Sequence, residues 1–109
     1  MRYLIVLLLF FASPALAAIK GEVMQFGIVC IDPSAVSQIT TSAETSTQLA
    51  SEKINQAQVS GVCVVGRFLA TLEERIGTGV DADGYTYETW AISKNGVTAY
   101  TFILVPPSI

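Results

Sequence analysis

Residues 30–63 read CIDPSAVSQITTSAETSTQLASEKINQAQVSGVC, and this stretch decides the fold: the chain's two cysteines stand at its ends and a helical pattern fills the interior. Asp32 suits the cap of a helix start, because its carboxylate can accept from free backbone amides, and Pro33 suits the first helical position. From there Val36, Ile39, Ala43, Ala50, Ile54 and Ala57 recur at spacings of three, four or seven, which places them on one helical face. Ser, Thr, Gln, Glu and Lys occupy the other face. Seam positions falling on Ser46 and Lys53 argue against a coiled coil. Ser60-Gly61 ends the pattern, glycine being the usual residue after a helix.

Geometry then limits what the helix can be. Two cysteines allow one pairing, and a Cys30–Cys63 disulfide is the expected state in an oxidising compartment. A straight helix over residues 33–58 is about 37 Å long, the flanking residues reach at most about 28 Å, and bonded cysteines need Cα atoms within about 7 Å. One straight helix is therefore excluded. The break belongs between Thr40 and Thr47, where β-branched and hydroxyl residues crowd. Thr41 with Glu44, and Thr45 with Gln48, both have capping-box spacing for a second start.

Outward from the cysteines the character is extended. Residues 22–31, with Val23, Phe26, Ile28, Val29 and Ile31, predict a first strand. Residues 62–65 and 68–76 predict strands with a bulge at Gly66, Gly77-Thr78-Gly79 predicts a loosened chain, and Asp81-Ala82-Asp83-Gly84 a turn. Residues 85–93 and 97–105 predict a hairpin about Asn95-Gly96, the type I′ pair, and Pro106-Pro107 stops the last strand. Pairing Lys94 with Val97 puts Tyr85, Tyr87, Thr89, Ala91, Tyr100, Phe102 and Leu104 on one face and Trp90, Ile92, Val97, Ala99, Ile103 and Val105 on the other. Both faces are substantially apolar and need cover. A helical hairpin covers one; curling of the sheet, a second copy or a partner must close the other.

The first seventeen residues have the layout of a secretory signal peptide: Arg2, an apolar run from Leu4 to Ala12, then Ser13, Pro14 and Ala15-Leu16-Ala17. The run is short of the roughly 20 residues of a membrane span. Cleavage after Ala17 leaves no stable membrane anchor and a single domain of residues 18–109, exported to the periplasm or secreted. Losing Arg2 leaves five basic against nine acidic side chains, so the formal charge moves from -3 to -4. That balance argues against a nucleic-acid partner, because neutralising phosphate takes a Lys/Arg surface.

The chemistry available is sparse. The sequence holds no histidine, which removes the commonest general base and metal ligand. Glu73 and Glu74 are neighbours on a strand, and alternation sends them to opposite faces. Asp81, Asp83, Gly84 and Glu88 resemble part of a calcium loop, but the position requiring the bidentate Glu falls on Trp90. Gly77 and Gly79 lack the third glycine and following helix of a phosphate loop. Tyr85, Tyr87, Trp90 and Tyr100 form a possible interaction surface, or else core.

The expectation is thus an α+β domain: an N-terminal strand, a helical hairpin or kinked helix, an antiparallel meander of about three to four strands, and one disulfide. No catalytic, metal or cofactor site and no cofactor are expected. The role expected is that of a non-catalytic binding or interaction protein of the envelope or extracellular space, with another protein or itself as partner. The alternatives are a small carboxylate-dependent hydrolase and a self-assembling envelope component.

Overall fold

Strand β1 (Val23–Cys30) leads into helices α1 (Pro33–Thr45) and α2 (Thr47–Ser60), followed by strands β2 (Cys63–Val80), β3 (Thr86–Lys94) and β4 (Val97–Val105). These elements come from a computed structural model that describes residues 18–105; the leader reading at residues 1–17 and the stop at Pro106-Pro107 lie outside them. Among the described residues the architecture is α+β, with two helices, a four-stranded antiparallel sheet in the order β1-β2-β3-β4, and one disulfide. Among the described residues no helix is long and apolar enough to cross a membrane.

The helical hairpin forms, and its corner is Ser46. Ser46 takes an extended conformation, donates its backbone N–H to the Ser42 carbonyl and accepts at its side chain from the Leu49 N–H at 3.1 Å. One residue so closes α1 and opens α2. Neither expected capping box is used, because the capping residue is Ser46, one position after Thr45, and its side chain accepts from Leu49. Asp32 caps α1, accepting from the Ser34 N–H and hydroxyl, both at 2.9 Å, and those bonds hold its carboxyl below the ordinary carboxylate range. Gly61 ends α2 at φ 80°, a left-handed conformation that suits glycine.

Cys30 and Cys63 are directly opposed on β1 and β2 and bonded, with Cα atoms 4.0 Å apart. Both are buried with Ile28, Val36 and Ile39 in a core between helices and sheet. A second core lies inside the curled sheet, where Phe26, Ala70, Leu72, Trp90 and Ile92 meet. The sheet closes on itself where Cys30 pairs with Tyr100 of β4. Curling is therefore what covers the second apolar face of the hairpin.

Strand β2 departs from expectation. It is one continuous strand of 18 residues, where two strands and a loosened Gly77-Thr78-Gly79 were predicted. Its first half pairs with β1 and its second with β3, and register shifts let a single strand serve both. Gly66 and Arg67 together oppose Gly27, which places the expected bulge at Gly66, and further shifts fall at Glu73 and Ile76. Gly77 and Gly79 stay in the ladder because Thr89 and Tyr87 lie across them; a Cβ at Gly79 would sit on the Tyr87 hydroxyl. A strand glycine roofed by a cross-strand aromatic is a packing device, invisible to a propensity that reads Gly as a breaker.

The shift at Gly27 also turns β1 over. Leu72 N–H donates to the Glu22 carbonyl, and Ile31 N–H donates to the Val62 carbonyl. Residues bonding through one edge of a strand are an even number apart, whereas 22 and 31 differ by an odd number, so one half-turn intervenes. It lets Phe26 join the core inside the sheet while Ile28 and Cys30 join the helix-side core.

Candidate functional site

The hairpin register is as expected, Lys94 opposite Val97 and Ala91 opposite Tyr100, with positive φ at Asn95 and Gly96. Tyr85, Tyr87, Phe102 and Leu104 accordingly lie on the side where the helical hairpin packs. The two do not close completely. A cleft of about 360 Å³ remains, lined by Ile39, Ala43, Ala50 and Ile54 from the helices and Phe102 and Leu104 from β4, with Thr40, Thr47, Asp81, Asp83, Tyr85 and Tyr87 supplying its polar groups.

The residues 81–85 turn is built by Asp81, whose Oδ1 accepts from the Asp83 and Tyr85 amides, each at 2.9 Å. It is clamped to the helical corner: Ala82 N–H donates to the Ala43 carbonyl at 2.8 Å, and the Thr47 hydroxyl donates to Asp83 Oδ2 at 2.8 Å. The same helix corner is tied to β3 by Tyr87, whose hydroxyl donates to Glu44 Oε2. One end of the cleft is thus held by three hydrogen bonds between sheet side and helix corner.

The hydrogen bond to Glu44, followed by burial, raises the Tyr87 hydroxyl above its ordinary value of about 10. A folded value above the unfolded one means that the stabilising contribution is complete below the ordinary tyrosine pKa and is lost as pH climbs through the folded value. Thermal unfolding followed from about pH 9 upward should therefore show Tm falling more steeply for the native protein than for Tyr87→Phe. Parallel curves would mean that the Glu44 bond does not hold the hydroxyl protonated.

The four aromatic candidates do not form one platform. Tyr85 and Tyr87 border the cleft, and Tyr100 packs against the disulfide core. Trp90 is 4% exposed inside the curled sheet, facing away from the cleft as the register dictates. The partial calcium pattern is dispersed as well. Asp81 and Asp83 hold the turn, while Glu88 is buried on the far face, accepting from Trp90 Nε1–H at 3.0 Å and paired with Arg75 at 3.4 Å. Among the described residues no group of three or more acidic side chains or cysteines is placed to hold a metal ion.

Glu73 and Glu74 are not separated as alternation implied. The register shift at Glu73 breaks the period of two, and both border one shallow depression with Lys20 and Arg75. Glu73 accepts there from the Ser93 hydroxyl.

Sequence reasoning names Glu44 for a capping box and Glu88 for a calcium-like pattern, and misses what Glu44, Thr47 and Glu88 do in the fold. The hairpin register does place Glu88 on the Trp90 face, two positions before it. Glu44 and Thr47 carried no comparable signal, because their partners arrive from turns and strands 36 or more positions away. No protein family, curated protein or solved structure matches this chain, so the reading of the cleft rests on its own geometry.

Proposed function

We propose that this chain is an exported, non-catalytic binding module that engages another protein of the cell envelope or extracellular space, taking apolar groups into the cleft between its helical hairpin and its sheet. The composition of that cleft carries the reading. Most of its lining surface is apolar although hydroxyl and carboxylate side chains also border it, and about 360 Å³ falls within the range of pockets that accept small molecules or side chains. Export is supported by the leader-like first seventeen residues and by the buried disulfide. A non-catalytic role is supported by the lack of histidine in the sequence. Tyr87 agrees with it, since a hydroxyl whose pKa is raised is a poorer general base at neutral pH.

Titration with a neutral naphthylamine dye tests the cleft. Saturable fluorescence from one site is expected, weakened about tenfold or more by Ser51→Phe, which obstructs the entrance from an exposed position on α2. Absence of saturable binding, or binding indifferent to Ser51→Phe, would remove the basis of the proposal. Self-assembly is the rival reading, favoured by the exposed side chains of Val23, Val64 and Leu69 on β1 and β2. Light scattering over a concentration series separates the two, because only the rival requires mass to rise with concentration.

A further inference from the structure

Where β1 and β4 meet, the ladder stops almost as soon as it starts. Among the described residues the two strands pair only at Cys30 and Tyr100. An antiparallel ladder would next bring Ile28 opposite Phe102. Instead residues 24–28 of β1 and residues 102–104 of β4 form opposite walls of an open cleft of about 520 Å³, with Ile54 and Gln58 of α2 above it.

Backbone parity tells which groups look into this seam. Lys94 and Val97 close a two-residue hairpin and bond to each other, so Val97, Ala99, Thr101 and Ile103 turn their N–H and C=O toward β3, while Tyr100, Phe102 and Leu104 turn theirs toward β1. On β1, Ile31 bonds to β2, so Ile28 and Cys30 face the seam; beyond the half-turn at Gly27, Glu22 bonds to β2, so Gln25 faces the seam. The Ile28 carbonyl accepts from the Thr101 hydroxyl. Beyond the Cys30–Tyr100 pair, the seam therefore offers the Gln25, Phe102 and Leu104 backbone groups and the Ile28 N–H, with no ladder partner in the β1–β4 register.

We infer that this seam is a strand-addition site for an extended segment of a partner protein; the inference rests on the binding-module reading and names how the partner is held. Two facing rows of ladder-ready backbone groups select another strand as occupant, because only an extended backbone supplies alternating donors and acceptors at the matching repeat. The surroundings select its side chains. Met24, Phe26 and Ile103 lie toward the inner core, and Ile54, Phe102 and Leu104 toward the helices, so the segment is apolar on both faces. Ile54, Phe102 and Leu104 also line the helix-side cleft, which makes the two cavities neighbours. A side chain of the added strand therefore reaches that cleft. The chain's formal charge of -3 favours basic residues flanking the apolar run.

The test uses oxidised protein produced from the full chain and a capped peptide alternating valine with threonine between terminal lysines, alongside the same peptide N-methylated at alternate residues. Amide hydrogen exchange at Gln25, Ile28, Phe102 and Leu104 should slow by about tenfold or more with the parent peptide. The N-methylated peptide, which keeps the side chains and loses the donors, should bind at least about tenfold more weakly. Equal binding of the two peptides, or protection confined to other amides, overturns strand addition. Protection of the same four amides without peptide, rising with protein concentration, assigns the seam to a second copy and overturns the partner assignment. If the dye still binds the helix-side cleft while the peptide protects nothing, the seam inference fails and the binding-module reading stands. If neither binds, both fail.

Discussion

Replacing Cys30 and Cys63 together by alanine is expected to lower the unfolding free energy by about 3.5 to 4 kcal/mol, the loop-closure entropy for a separation of 33 residues. For a chain of this size that corresponds to a fall in Tm of about 15 °C or more. The bond joins two opposed strand residues at the ends of the segment that carries both helices. Without it, the unfolded chain regains the freedom of that entire segment. Both sulfurs lie in the core shared by helices and sheet, so the loss of packing acts in the same direction. Urea unfolding of the native protein and the double variant gives the difference directly. A change below about 1 kcal/mol would mean that packing alone holds the helical hairpin against β1 and β2.

Trp90→Ala is expected to cost about 3 to 5 kcal/mol, the usual range for truncating a large buried aromatic. Two losses combine at this position. The indole fills the core inside the curled sheet with Phe26, Ala70, Leu72 and Ile92, and its N–H is the donor that Glu88 Oε1 accepts from in a side chain only 3% exposed. Removing it leaves a buried carboxylate with the single, longer contact to Arg75 at 3.4 Å. Trp90→Phe keeps most of the volume and loses the donor, so it isolates the second loss and should cost less than the alanine variant. Far-ultraviolet circular dichroism is the appropriate readout, since the sequence holds no other tryptophan. Equal stability of the phenylalanine and native proteins would show that Glu88 does not depend on the indole.

Local signals carried as far as local physics reaches. Asp32-Pro33 opens a helix and Gly61 closes one because a cap is made within a few residues of the chain. Asn95-Gly96 sets a hairpin register that β3 and β4 keep over their whole length. Gly77 and Gly79 misled because the side chains that lie over them, Thr89 and the Tyr87 ring, come from another strand, and Glu73-Glu74 misled because a register shift is a property of two strands at once. The cleft was not legible for the same reason: Tyr87 with Glu44, and Thr47 with Asp83, meet only after helices and sheet have docked.

By itself the amino-acid order determined the element types, the bent helical segment and the pairing of the two cysteines, since each follows from spacing, chain reach or the conformational preference of one or two residues. Only the tertiary structure decided that the sheet curls to bury Trp90, that β1 turns over at Gly27, and that a seam opens beside Cys30 and Tyr100. Those outcomes depend on register shifts and on which surfaces meet in space, quantities that arise between distant segments and leave no mark on either one alone.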